Sequence, residues 1–106
     1  MKNIFFIIII SFFINFSLLA DSSKIDKGKS IFLGKGMCSG CHTLKEAGSY
    51  SNIGPNLDKL NLKSSSVINI IKEGKGKMPA YGITKILTAE EIKLVSFYVV
   101  KKSKKN

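Results

Sequence analysis

The chain has 106 residues, with 17 lysines and no arginine against seven acidic residues, giving a formal charge of +10. That length allows one small domain, whose core is marginal unless a metal, disulfides or a cofactor completes it. The lack of arginine and an apolar head on the chain argue against nucleic-acid binding, so the charge points to acidic protein partners or an anionic membrane face.

Residues 1–20 read as a secretory signal peptide. Lys2 supplies the positive start, residues 4–16 are an almost unbroken apolar run, and Ala20 precedes the polar Asp21-Ser22-Ser23-Lys24. Leu18 sits where a small residue is usual before the cut, so an uncleaved membrane anchor is the alternative. The 18 residues between Lys2 and Asp21 are just enough to span a bilayer. On either reading, residues 21–106 form the functional domain and lie outside the cytoplasm. This part carries 16 lysines against seven acids, or +9, and five aromatic residues: Phe32, Tyr50, Tyr81, Phe97 and Tyr98. Five aromatics are thin for a self-sufficient core and adequate for wrapping a flat apolar cofactor. The tail at 101–106 reads as a solvated, frayed end.

Ser23, with Asp26 three residues on, suggests an N-cap. It opens a helix from about Lys24 to Leu33 that places Ile25, Gly28 and Phe32 on one face. Gly34 and Gly36 end it, and Cys38-Ser39-Gly40-Cys41-His42 follows. C-x-x-C-H is the pattern of covalent haem attachment: each thiol adds across a vinyl group, and the adjacent histidine reaches the iron from one face. The chain has no other cysteine or histidine. A closed zinc site needs four such ligands and finds three. A thioredoxin-like pair would sit in a βαβ pattern, which is missing here. A structural disulfide between Cys38 and Cys41 is the bland alternative, and it leaves His42 unexplained. One haem c per chain is the expectation.

From His42 to Leu62 the sequence holds no sustained period and reads as loop, with no strand pattern. Ser65 then caps a second helix with Val67, Ile68 and Ile71 inward, stopped by Gly74. Thr88-Ala89-Glu90-Glu91 is a capping box opening a third helix, with Ile92, Val95, Tyr98 and Val99 as its apolar stripe. The fold class is therefore all-α, about three helices joined by loops. Between the last two helices lies Gly74-Lys75-Gly76-Lys77-Met78-Pro79-Ala80-Tyr81-Gly82. With the one histidine already used, a second axial position needs another donor, and a thioether is the usual one. Met37 is bonded directly to Cys38 and is confined to the attachment side. Met78, 36 residues after His42, stands on a glycine-flanked loop, and Pro79 keeps it out of helical geometry. Core filler is the ordinary role of a methionine, but the missing second histidine favours Met78 as ligand.

Taken in order, Cys38-Ser39-Gly40-Cys41-His42, Gly54-Pro55-Asn56-Leu57, Gly76-Lys77-Met78-Pro79-Ala80-Tyr81 and the helix through Leu94 to Val99 resemble the class I c-type cytochromes, the small monohaem bacterial kind. The resemblance covers residues 24–101. It implies a small cytochrome c fold wrapped around one covalent haem. Gly28, Phe32 and Tyr98 would form the crossing of the first and last helices. The Pro55 carbonyl would accept a hydrogen bond from the free ring nitrogen of His42, and Leu57 and Tyr81 would pack on the haem. The loop between His42 and Gly54 is short for the family and the tail unusually rich in lysine.

Iron held by both His42 and Met78 leaves no position for a substrate, so the expected function is electron carriage rather than catalysis. The carrier would shuttle single electrons between respiratory or dehydrogenase donors and an oxidase or reductase, docking as a monomer on acidic redox partners. Lys35, Lys45, Lys75 and Lys77 are candidates for the docking face, or simply solubility charges. Peripheral or N-terminally anchored membrane association fits the head of the chain. The alternatives are a tethered electron-transfer subunit of a larger redox enzyme and a haem peroxidase or sensor whose sixth position is open.

Overall fold

In the computed structural model, which describes residues 19–103, the chain enters as a helix, α1, over 19–33. Ser23 therefore lies inside the helix and does not cap it. The polar run at 21–24 is exposed, and an exposed turn accommodates polar side chains at little cost in propensity. The change of composition at Ala20 thus does not break the backbone. Residues 1–18, with the expected signal or anchor segment, and residues 104–106 of the tail lie outside the described residues. Among the described residues no helix is long and apolar enough to cross a membrane.

The stretch expected as plain loop is more structured than its sequence suggests. A 3-10 turn at Cys38–Gly40 precedes it, and it contains two more, at Lys45–Ala47 and Leu57–Lys59. It also contains a small antiparallel pair, β1 (Thr43–Leu44) and β2 (Ser49–Tyr50), in the register Thr43 to Tyr50 and Leu44 to Ser49. Strands of two residues are too short to display an alternation, so the expectation of no strands is corrected on this point. Gly48 at φ 69° turns the chain between them.

The second helix, α2, spans Ser64–Glu73, and its N-cap is Lys63 with no side-chain cap bond, so Ser65 is not the cap. The helix starts earlier because the Lys63 carbonyl already accepts from Val67 N–H at 3.0 Å. Ile71 is buried and Val67 and Ile68 are half-buried, and Gly74 at φ 77° ends the helix. The third helix, α3, spans Ala89–Lys102 and opens on a complete capping box between Thr88 and Glu91. Its expected stripe of Ile92, Val95, Tyr98 and Val99 is buried throughout.

The core joins these stripes to Ile31 and Phe32 of α1, Leu44 of β1, Ile71 of α2 and Leu87. The crossing of α1 and α3 is closest at Gly28. A Cβ placed there would lie 2.5 Å from Tyr98 Cβ and against the carbonyl of Leu94. Phe32 meets Tyr98 edge-on, with ring centroids 5.9 Å apart. The fold is thus three helices and loops, with one short ladder added near the cysteines.

A polar node closes the far side of this crossing. Tyr98 Oη donates to Glu46 on the second 3-10 turn, and Lys29 Nζ of α1 reaches the same carboxylate at 3.3 Å. The Tyr98 hydrogen bond, ahead of the Lys29 contact, holds the Glu46 carboxyl below its ordinary 4.5. A carboxyl depressed in the folded state contributes stability that is fully present above about pH 4.5 and is lost as pH falls through the lower folded value. Glu46→Gln should therefore flatten the acid limb of the unfolding midpoint plotted against pH, and leave little effect of pH in the same range at that site. An acid limb of unaltered slope in the variant would show that Glu46 does not carry it.

Candidate functional site

A cleft of about 600 Å³ opens between the 3-10 turns and the α2–α3 side of the molecule. Cys38, Cys41, His42, Pro55, Leu57, Met78 and Tyr81 all line it, so the fold brings together every residue that the sequence assigned to the haem. Its floor is apolar: Phe32, Ile71, Val95 and Val99 reach it from the three helices. Met37 and Ile53, exposed to 71% and 73%, stand at its rim.

The attachment loop is a tight turn held by its own backbone. The Cys38 carbonyl accepts from the N–H groups of Cys41 at 3.2 Å and His42 at 3.0 Å. Met37, at φ 53°, sits in the left-handed region just before the turn. Both cysteines are free thiols. Burial pushes the Cys38 thiol up to about 11, while Cys41 is exposed.

His42 is aimed by its surroundings. Its Nδ1 lies 2.7 Å from the Pro55 carbonyl oxygen. A carbonyl only accepts, so Nδ1 carries the proton and Nε2 keeps its lone pair for a metal. Gly54 makes room for this ring: a Cβ there would stand 2.7 Å from Cε1 and 3.0 Å from Nδ1 of His42. Two thiols, one oriented imidazole, a thioether and apolar walls are a donor set that fits a haem.

Met78 arrives on a loop pinned to α2. It exchanges backbone hydrogen bonds with Lys75 at 3.0 and 3.2 Å, and Tyr81 N–H donates to the Ile71 carbonyl at 3.0 Å. The Met78 side chain is half-buried against the core. Tyr81 is half-buried in the cleft, and burial first of all raises its phenol above the ordinary 10, so it is a neutral hydroxyl. Of the lysines expected at a docking face, Lys75 and Lys77 line the cleft. Lys35 does not stand free beside them. Its Nζ donates to both carboxylate oxygens of Glu91 on α3, at 2.9 and 3.0 Å. Lys45 is exposed, on the second 3-10 turn.

Sequence reasoning did not single out Ser49 and Ser51, whose hydroxyls donate to carbonyls of the attachment loop. Their one signal was the Ser-, Asn- and Gly-rich composition of the stretch before Gly54, which reads equally well as plain loop.

Residues 23–99 match the family model described as cytochrome c oxidase, cbb3-type, subunit III. Among solved structures, the c-type cytochrome SorU from Sinorhizobium meliloti is similar with a TM-score of 0.72 and 38% identity, over 79% of this chain and 95% of that one. No curated protein matches. The family match spans well over half of the chain and the SorU likeness spans nearly the whole of that cytochrome, so the chain belongs to the small class I c-type cytochromes, electron-transfer proteins that hold haem c covalently.

Proposed function

We infer that the protein is a periplasmic monohaem electron carrier, with one haem c joined to Cys38 and Cys41 and its iron held between His42 and Met78. The hydrogen bond from His42 Nδ1 to the Pro55 carbonyl carries this reading, because it leaves Nε2 as the ligating nitrogen and makes it more basic. When bound, the haem supplies one-electron iron chemistry. The chain's own residues orient the two ligands, exclude water with Phe32, Leu57, Val95 and Val99, and present Lys75 and Lys77 at the cleft. Positive charge at that edge suits brief, salt-sensitive docking on acidic donors and acceptors. Leaving aside residues 1–20, whose apolar run supports export or anchoring, two ionised propionates would bring the net charge to about +7.

Optical spectra of the full-length protein made with its haem, oxidised and reduced, test attachment, spin state and methionine ligation together. A low-spin ferric spectrum with the methionine charge-transfer band is expected, together with no rapid binding of carbon monoxide on reduction. Rapid binding would instead favour a peroxidase or gas sensor with an open sixth position. The matched family's description as an oxidase subunit favours a second reading, a tethered electron-transfer subunit of a larger enzyme. Co-purification with membranes after a salt wash separates that from a free shuttle.

Gly54→Ala tests the imidazole contact. The added methyl must push the His42 ring off the Pro55 carbonyl, since only 2.7 Å is available to Cε1. A less basic imidazole stabilises ferric iron less well, so a redox titration should show the potential of the variant raised. A potential equal to the parent's would show that the Pro55 bond does not tune the iron.

A further inference from the structure

Every carbonyl of the attachment loop has a donor, and the segment from Ser49 to Gly54 supplies most of them. The Cys38 carbonyl is held within the turn by Cys41 and His42 N–H, and the Cys41 carbonyl accepts from Gly54 N–H at 2.6 Å. Ser49 Oγ lies 3.0 Å from the Ser39 carbonyl oxygen and 2.5 Å from that of His42, so its single proton is shared between them. Ser51 Oγ donates to the Gly40 carbonyl at 2.9 Å. Ser49 is only 5% exposed, so its hydroxyl has these carbonyls and little water to choose from. Within Cys38–His42 the turn's own backbone bonds use the Cys38 carbonyl alone, and the other four carbonyls are satisfied from the Ser49–Gly54 segment. The shape of the turn is therefore set by whatever satisfies its carbonyls.

His42 is thus gripped at two points. Pro55 holds the ring, and Ser49 holds the backbone carbonyl of the same residue. A ring fixed only at its tip can still rotate with the main chain, whereas one fixed at both ends has a single plane. We propose that Ser49 and Ser51 are positioning residues for the haem ligand, fixing the attachment-loop backbone so that the His42 ring adopts one orientation. The proposal rests on His42 being the proximal ligand. Thr43 provides a comparison. Its Oγ1 donates at 2.8 Å to the Ser51 carbonyl, a bond inside the hairpin that touches no carbonyl of the Cys38–His42 loop.

Paramagnetic proton NMR of the ferric, haem-loaded full chain reads the ring plane directly, through the order and spread of the haem methyl shifts. Ser49→Ala and Ser51→Ala are each expected to change that pattern or double it, and Ser49→Thr to restore a single parental set. Thr43→Val should lower the thermal midpoint and keep the parental pattern. Alanine variants that lose stability and keep the parental methyl pattern overturn the proposal, because the serines would then be merely structural. If Ser49→Ala does not accumulate with haem, Ser51→Ala, whose bond lies on the exposed side, decides by the same criterion. A parent protein showing no histidine-ligated haem in its own spectrum overturns the ligand reading itself, and does so before any variant is made.

Discussion

Gly28→Ala is expected to destabilise the haem-loaded protein by about 3 kcal/mol, at the upper end of the cost of overpacking. Two opposing effects meet at this position. Alanine favours the helix by roughly 0.5–1 kcal/mol over glycine, through the smaller backbone entropy lost on folding. Against that, its Cβ would stand 2.5 Å from Tyr98 Cβ and press on the Leu94 carbonyl, and neither is the free end of a flexible side chain. Helix α3 would have to move away from α1, which loosens the 5.9 Å contact of Phe32 with Tyr98 and the hydrogen bond from Tyr98 to Glu46. Gly40→Ala is the matching control, since an added Cβ there meets nothing within 4 Å. Its effect should stay within about 0.5 kcal/mol, as for an ordinary surface change. Denaturant unfolding of both variants with haem attached measures the difference. Equal midpoints would mean that the helix crossing yields more easily than its packing implies.

The same crossing indicates which features the amino-acid order can disclose. Ile92, Val95, Tyr98 and Val99 announce α3 because four burials at spacings of three and four leave one periodic stripe, and Thr88 with Glu91 marks where it begins. Cys38, Cys41 and His42 are legible for a different reason, since the chemistry of attachment demands those residue types at that spacing. Met78 was singled out by elimination among few donors, and the fold sets it in the same cleft as His42. Helix starts were less visible. Ser23 and Ser65 both look like caps, yet α1 already runs at 19 and α2 is capped at Lys63, because hydrophilic residues on an exposed turn neither start nor stop a helix by themselves. Least visible were contacts that depend on the finished fold. Lys35 meets Glu91 across 56 residues, and Tyr98 meets Glu46 across 52. The hairpin of β1 and β2 was hidden by its brevity. With it were hidden the serine hydroxyls beneath the attachment loop, which no local pattern distinguishes from solvated ones.

Under the proposed ligation, Met78→Ala should have the largest effect on the iron. A thioether favours the ferrous state, so its loss should lower the reduction potential by a sizeable share of the roughly 0.8 V that axial ligands span. The freed position should also let carbon monoxide bind the reduced protein quickly, while the covalent attachment at Cys38 and Cys41 is retained. Met37→Ala separates a ligand effect from a general methionine effect. Met37 also lines the cleft, but it is 71% exposed and lies next to Cys38, so its removal should leave both potential and spectrum unchanged. Met78→His adds a sharper criterion. The loop that carries residue 78 is closed by the paired backbone bonds to Lys75 and by Gly74 at φ 77°, and these bonds do not depend on the side chain. Imidazole at this position should therefore close the iron to carbon monoxide again, while the potential stays below that of the parent. Recovery of the parental potential by histidine, or an unchanged spectrum in Met78→Ala, would remove Met78 from the iron and return the site to the open-position reading.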